Sequence, residues 1–566
     1  MLNSLTRRTA FLASLAFLLA LAGCLPWLWP DTNGSSATAA KLIPFQSASE
    51  LLDYFHQQAR HRYQWGFRFG FLGAAAPSAA DEAAGADNGD ASEDADYSTT
   101  NLQEAGVDES DVFKTDGTYF YVAREQSLRI IRAKPVAELA EVARLDLGMY
   151  ADSLYLFGST IIALGTEYGD YGWDGPEVLT WPPYYARSRV VIKQVDIADP
   201  NQPTVIRQLE LDGCLVSSRL TNGRLIVVLT IVPNLPGNPT PLTIGQMTLD
   251  EVLPKLRRSD GSEEDAVPWQ QWLRPASPDG YYMTAVLTLD AGAIENVLGS
   301  VAVLAGAGTI YASTEALYIT DMDYDPDHNY RQTTSIHKFA FDDDGVAQYA
   351  ASGKVPGRLL NQFSLSEHEG YLRVATHVDA AAALGEVGVA FALAEAARVG
   401  ATAQSNGEAD EEATVDPPYN AVYIMAQTEE DLAVVGLVDG IAPDEEIYAA
   451  RFMGPRGFLV TFRRIDPLFV LDLSDPQNPQ VLGELEVPGY SDYLHLLDDS
   501  HLIGVGRSVA ESAWGGTVPD ALQLSLFDVS DWAHPTLISQ VTFGGGNSYS
   551  EVSYTHKAFT LLEREG

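Results

Sequence analysis

"VLDLSDPQNPQVLGELEV", residues 470–487, decides the fold. It reads as a strand, an Asp-rich turn closed by proline, and a second strand. Apolar residues alternate on both flanks, and Pro479 stands in the turn, where its missing N–H costs no ladder bond. The same text recurs as "QVDIADPNQPTVIRQLEL" at 194–211 and "LFDVSDWAHPTLISQVTF" at 526–543. Pro479 and Pro535 are 56 residues apart, and Pro203 lies 276 before Pro479, close to five such steps. Weaker copies of the first strand fall near Ile131, Leu287, Phe339 and Ile424.

A second marker precedes each unit. It appears as "MYADSLYLFG", "CLVSSRLTNGRLIVV", "IYASTEALYIT", "LLNQFSLSEHEGYLRV", "IYAARFMGPRGFLVTF", "YLHLLDDSHLIGVG" and "YSEVSYTHKAFTLL". The two ladders climb in nearly equal steps. A period of about 50 residues with about four strands predicts a β-propeller, whose blades cannot bury both faces alone and so stack radially. The expected fold is all-β, with seven to eight four-stranded blades and a short N-terminal helix. The last marker has no following strand with an Asp-Pro turn, so the final blade is expected to be incomplete. An open blade edge invites aggregation. The strand at 111–115 is therefore expected to close the ring beside that partial blade, with "DESDVFK" as the clasp.

The 566 residues are 46% hydrophobic and 10% aromatic, enough for a large core. The 77 acidic residues outnumber 35 basic ones, a formal charge of −42 that repels nucleic acid and anionic headgroups. A nucleic-acid partner is excluded on that ground. A solvated surface, a cationic partner and a salty habitat all stay open.

"MLNSLTRRTAFLASLAFLLALAGC" has a basic start and a short apolar run ending in Leu21-Ala22-Gly23-Cys24. It resembles the bacterial lipoprotein signal, in which the chain is cut before the cysteine and its thiol takes a diacylglycerol. An ordinary secretory signal with an incidental cysteine is the competing reading. Several acyl chains on Cys24 would anchor durably. Leu25, where an aspartate would mark inner-membrane retention, implies outer-membrane sorting in a Gram-negative cell. With Cys24 so used, Cys214 has no disulfide partner and reads as a small buried residue.

The expected organisation is a signal peptide over 1–23, a tether over 24–46 and a helical segment over 47–72. An acidic low-complexity linker over 73–99 and the propeller over 100–566 follow. Ser47 and Glu50 form a capping-box pattern, and Leu51, Leu52 and Phe55 give the helix one apolar face. Insertions at 234–280 and 378–418 interrupt the ladders. The first contains "TLDEVLPKLRRSDGSEED", read as a short helix. The second contains "LGEVGVAFALAEAARVG", also read as helical.

The longest stretches, "TNLQEAGVDESDVFKTDGTYFYV", "GKVPGRLLNQFSLSEHEGYLRVAT" and "RFMGPRGFLVTFRRIDPLFVLDLSDPQNPQVLGELEVPGYSDYLH", resemble a family of secreted prokaryotic proteins. Its members carry a C-terminal β-propeller distantly related to WD repeats. The resemblance covers roughly 45–560, insertions excepted. It implies the fold and an extracytoplasmic place but no activity, so no catalytic residue is carried over. Family members continue with further strands beyond the segment matching "YSEVSYTHKAFTLLE".

"DMDYDPDHN" at 321–329 spaces carboxylates two apart, and Asp321, Asp323 and Asp325 could supply alternate oxygens to calcium. Pro326 stands where a calcium loop needs glycine and no late Glu follows, which favours an acidic surface turn. "FDDDG" at 341–345 reads as a hairpin turn. No other cofactor is expected. Polar residues on the innermost strands should converge on the axis. These are Asp108, Asp111, Asp152, Ser218, Ser313, Asn361, Arg451, His495 and Glu551. Solvation of a water-filled channel is the competing role for them. The functional expectation is a monomeric, lipid-anchored envelope propeller that binds a protein or glycan and meets the membrane only through its lipid. An extracytoplasmic hydrolase or lyase with channel-mouth residues is the alternative.

Overall fold

The Asp-rich turns shape the blades. In each of the three quoted units the first aspartate accepts the N–H two residues on: Asp196 from Ala198, Asp472 from Ser474 and Asp528 from Ser530, all at 2.9 Å. The second aspartate repeats the move. Asp199 accepts from Asn201, Asp475 from Gln477 and Asp531 from Ala533, at 3.0 to 3.1 Å. Two Asx turns in succession reverse the chain between the third and fourth strands of a blade. The fourth strand then skips one residue of its ladder at the same place in all three copies, leaving Ile206, Leu482 and Ile538 bulged and exposed.

The structure is a computed structural model that describes residues 41–68, 100–168, 188–233, 240–276, 282–325, 331–380, 417–462, 466–511 and 517–561. The leader with Cys24, the acidic linker and nearly all of the second insertion lie outside the described residues. Within them, six hydrogen-bonded sheets resolve into seven four-stranded antiparallel blades, because the eight-stranded sheet is two blades joined by one parallel pair, Ser352 with Asp431.

Blade 1 is Phe113–Thr115, Tyr119–Arg124, Ser127–Arg132 and Ala140–Asp146. Blade 2 is Ser153–Phe157, Thr160–Glu167, Arg189–Asp196 and Thr204–Asp212. Blade 3 is Cys214–Thr221, Arg224–Ile231, Met283–Asp290 and Ala293–Val303. Blade 4 is Ile310–Ala312, Ala316–Asp325, Arg331–Phe341 and Ala347–Pro356. Blade 5 is Leu365–His368, Tyr371–Val378, Tyr419–Thr428 and Asp431–Ile441. Blade 6 is Glu446–Met453, Arg456–Phe462, Asp466–Asp472 and Gln480–Val487. Blade 7 is Tyr490–Asp498, His501–Glu511, Thr517–Asp528 and Thr536–Phe543.

Each blade packs on the next through an apolar layer. Tyr121 and Leu128 of blade 1 meet Leu154 and Ile161 of blade 2, and Phe458 and Val470 of blade 6 meet Leu494 and Phe527 of blade 7. Glycine lets a turn nest against its neighbour. A Cβ on Gly483 of blade 6 would lie 2.2 Å from the Trp532 carbonyl in the Asp-rich turn of blade 7. Gly436 of blade 5 stands in the same relation to Pro476 of blade 6.

Blade 7 and blade 1 do not share such a layer among the described residues. Repeat-equivalent positions make the difference plain. Leu468 and Val487, on the face of blade 6 that meets blade 7, are 1% and 4% exposed. Their counterparts in blade 7, Leu524 and Phe543, are 39% and 55% exposed, and Val541 beside them is 47% exposed. On blade 1 the matching open face carries Phe113, Phe120 and Ile131. Among the described residues, the junction of blades 7 and 1 is thus a seam with two half-open apolar faces.

Four expectations need correction. "YSEVSYTHKAFTLL" is not a strand: it forms two 3-10 turns, Glu551–Ser553 and His556–Ala558. Its N–H groups bond locally, as Tyr554 to the Glu551 carbonyl and Phe559 to that of His556. Phe113–Thr115 pairs with Tyr119–Arg124 of its own blade, not with the last one. The tether ends earlier than expected, because Leu42–Pro44 is a strand paired with Trp272–Pro275 at the outer edge of blade 3's sheet. Finally, "TLDEVLPKLRRSDGSEED" is helical only over Leu249–Val252. It continues as a hairpin, Lys255–Arg258 with Glu263–Asp265, that widens blade 2.

The N-terminal helix runs Ala48–Arg68. Ser47 Oγ accepts from the Glu50 N–H at 3.1 Å, and Glu50 accepts from the Gln46 N–H at 2.7 Å, one residue earlier than a capping box requires. Leu51 and Phe55 are fully buried against the outer part of blades 2 and 3.

Candidate functional site at the propeller axis

The axis is filled by two segments of the chain itself. The first is the acidic stretch before blade 1. Asp108–Glu109 adds a short inner strand to blade 3, paired with Leu220 and Arg219. Upstream of it, the Gln103 amide donates to the Gln362 and Leu365 carbonyls of blade 5, at 2.9 and 3.3 Å. Glu104 accepts from Tyr311 Oη of blade 4 at 2.7 Å. Lys114 Nζ ties the stretch together, donating to Thr100 Oγ1, Asp108 and the Glu109 carbonyl at 2.7 to 2.9 Å.

The second segment is the C-terminal tail. Val552 packs on Phe363 and Tyr493, His556 stands edge-on to Phe363, and Phe559 lies against Tyr493 and His495. Asn101 joins the two segments, donating to Tyr493 Oη and to the His556 carbonyl, both at 2.9 Å.

At the centre is Glu109, 1% exposed. One carboxylate oxygen accepts from the Gln103 N–H at 3.0 Å. The other faces His556 Nε2 at 3.3 Å and Arg219 Nη2 at 4.0 Å. Burial alone would raise this carboxyl, but the charges of His556 and Arg219 win and hold it well below the usual range. For Asp108 the balance goes the other way: burial outweighs Lys114 and raises it. Arg219 is fixed by Ser217 Oγ, the Ser218 carbonyl and Gln362 Oε1, at 2.6 to 2.9 Å.

Four of the sequence-chosen residues reach this centre. Asp108 does, and Ser218 accepts from Tyr155 Oη at 2.9 Å. Arg451 lies over the Phe363 ring at 5.3 Å. His495 bonds Tyr493 Oη at 3.1 Å, and burial, then Arg451, pushes its pKa down to about 4. Ser313 and Asn361 work beside it. Ser313 meets Glu367 at 2.5 Å, and Asn361 Oδ1 accepts from the Phe363 N–H, capping a 3-10 turn. Asp111 pairs by its backbone with Leu154 and lies within reach of the charges of Lys557 and Lys114, though burial raises its carboxyl. Asp152 and Glu551 are exposed.

Asp321 and Asp323 lie on a strand of blade 4 rather than in a loop, and Asp323 is taken by Lys354 and Ser335 at 2.8 Å. Asp325 ends that strand. Residues 326–329 of the motif lie outside the described residues. "FDDDG" is a turn, with Gly345 at φ 76°.

Sequence reasoning missed Glu109, Arg219, Gln362, Arg373 and His556. Glu109 and Arg219 sit one residue from chosen positions, so the inner-strand rule found the strands but not which face looks inward.

Arg373 and Arg451 line a cavity of about 140 Å³ between blades 5 and 6, closed on one side by Gln103 and Glu104. Among the described residues no group of three or more His, Cys, Asp or Glu is placed to hold a metal.

The sequence profile of the beta propeller domain matches residues 97–566. An uncharacterized protein of Archaeoglobus fulgidus is 27% identical over 557 residues, spanning 83% of this chain and 74% of that protein. One of Methanocaldococcus jannaschii is 26% identical over 504 residues, spanning 78% and 68%. Among solved structures, Hsv2 of Kluyveromyces lactis aligns over 76% of this chain and 98% of its own, at 9% identity and a TM-score of 0.33.

Proposed function

This chain belongs to the beta propeller domain family, and on that premise we propose that it is an envelope-anchored binding module whose partner is a protein. The observation that carries the reading is the seam. Leu524, Val541 and Phe543 on blade 7 present an apolar, twisted sheet face. At every other blade junction the equivalent face is covered by another sheet. The occupant is therefore a protein that offers a β-sheet face of its own, packed as one blade packs on the next. A glycan would need polar donors, whereas Leu524, Val541 and Phe543 offer only apolar side chains. Support for binding over hydrolysis comes from the axis, which the chain's own segments occupy, with Gln103, Glu104 and Asn101 bonded to the surrounding strands and turns. The anchor rests on the Leu-Ala-Gly-Cys sequence ending at Cys24.

The test is a photo-cross-linking residue in place of Phe543, used in intact cells, with Val205 on blade 2 as the control position. A discrete protein adduct from position 543, lost in a Leu524→Asp/Val541→Asp background, is expected. An adduct between two copies of this chain, or the same adducts from 205, would overturn the reading. Cys24→Ala should move the protein from the membrane pellet to the soluble fraction, and unchanged fractionation would remove the anchor.

A further inference from the structure

We propose that the cavity between blades 5 and 6 binds a small monocarboxylate anion, held by Arg373. This site is separate from the seam and does not depend on the docking reading. Arg373 stands on the second strand of blade 5 and is 4% exposed. Nη1 donates to the Gly454 carbonyl, Nη2 to Ser366 Oγ at 2.6 Å, and the guanidinium lies over the Phe452 ring at 5.0 Å. Its Nε–H has no acceptor. Among the described residues no carboxylate lies within ion-pair distance of it. Lys114, Lys338 and Arg219 are buried too, and each has one, Asp108, Glu367 and Glu109.

A buried charge with no ion-paired carboxylate is costly, and the groups that bond this one directly are neutral. Burial draws the Arg373 pKa down to about 10, outweighing the raising effects of Tyr311 and Glu104. The cavity it lines, about 140 Å³, gives a counter-ion room. Cavities near 150 Å³ take ligands of roughly six heavy atoms. The lining also sets the charge. Glu104 and Glu367 both face the space; Glu104 accepts from Tyr311, and Glu367 is neutralised by Lys338 at 3.0 Å. The remaining negative charge, Glu104, repels a dianion such as phosphate about twice as strongly as a monoanion. One free N–H in a planar fork suits one oxygen of a carboxylate. The ligand is thus a monoanion of formate-to-propionate size.

The experiment titrates the mature protein with sodium acetate, and separately with inorganic phosphate, at constant ionic strength. Binding is read by calorimetry and by saturation-transfer NMR. Acetate should bind saturably. Arg373→Met, which keeps the contact with Phe452 but removes the charge, should weaken acetate by roughly tenfold or more, the loss of one charge-assisted hydrogen bond. The same variant should melt no lower than the parent without acetate, because an unpaired buried charge has gone. No saturable acetate signal from the wild-type protein, which needs no variant to fold, would overturn the site. Equal binding of phosphate would overturn the monocarboxylate assignment. Undiminished acetate affinity in Arg373→Met would overturn the role of Arg373.

Discussion

Replacing Glu109 by glutamine should release the C-terminal tail from the axis. Glutamine keeps the acceptor for the Gln103 N–H but removes the charge that faces His556 at 3.3 Å and Arg219 at 4.0 Å. Breaking a buried pair by removing one partner costs about 3–5 kcal/mol, because the other charge stays buried alone. The preserved hydrogen bond and the three remaining bonds of Arg219 argue for the lower end, about 3 kcal/mol. At about 1.4 kcal/mol per factor of ten, that shifts the opening equilibrium of the tail roughly a hundredfold. Lys557 reports it directly. It follows His556 in a 3-10 turn, and trypsin can cut there only after local opening. When opening is fast relative to cleavage, the rate follows the open population. Low-trypsin time courses should therefore show cleavage after Lys557 accelerating by about two orders of magnitude, while cleavage within the blades is unchanged. Equal rates for the variant and the parent would show that the Glu109 charge does not hold the tail.

Gly483→Ala should destabilise the junction of blades 6 and 7 by about 1–3 kcal/mol in urea unfolding, since its Cβ would lie 2.2 Å from the Trp532 carbonyl; Gly545→Ala, with nothing within 4 Å, should be neutral. Asp492 is pushed up to about 6 by burial, although Ser553 bonds it at 2.9 Å. Its folded pKa exceeds the unfolded one, so the folded state holds the extra proton and stability should rise as pH falls from about 7 towards 4. Melting curves of Asp492→Asn across that range should lack this rise, and a rise identical to the parent's would assign it to another group.

The blades were legible because their turns are local chemistry. The Asp-x-x-Asp-x-x-x-Pro spacing makes two Asx turns from atoms a few residues apart, so it survives in text. The inner-strand markers worked for blades 2 to 7 for a similar reason, since each is a hairpin whose partner strand follows at once. The seventh failed, because its text folds into two 3-10 turns. Which polar residue looks inward was less legible. Strand alternation offers two faces, and the choice between Ser218 and Arg219, or between Asp108 and Glu109, depends on a pairing 110 residues away that no local pattern encodes. Arg373 was invisible for a further reason: it belongs to a second strand, and only the offset between blades 5 and 6 brings it to the cavity.

The meeting of both chain segments at the axis also orders events in time. Gln103 finds its acceptor 259 residues downstream, and Asn101 finds its partners 392 and 455 downstream. Loop-closure entropy grows so slowly that stretching a contact from 259 to 455 residues adds only about 0.5 kcal/mol. Equilibrium stability barely registers the distance, whereas kinetics does, because non-local contacts form late. As the chain leaves the ribosome, blades 2 to 6 can each dock on the one before. The acidic stretch, made before any of them, must wait with Glu109 and Lys114 solvated until blade 7 and the tail arrive. Locking of the centre thus waits for the segment after blade 7, although half of the residues that perform it are made before blade 1.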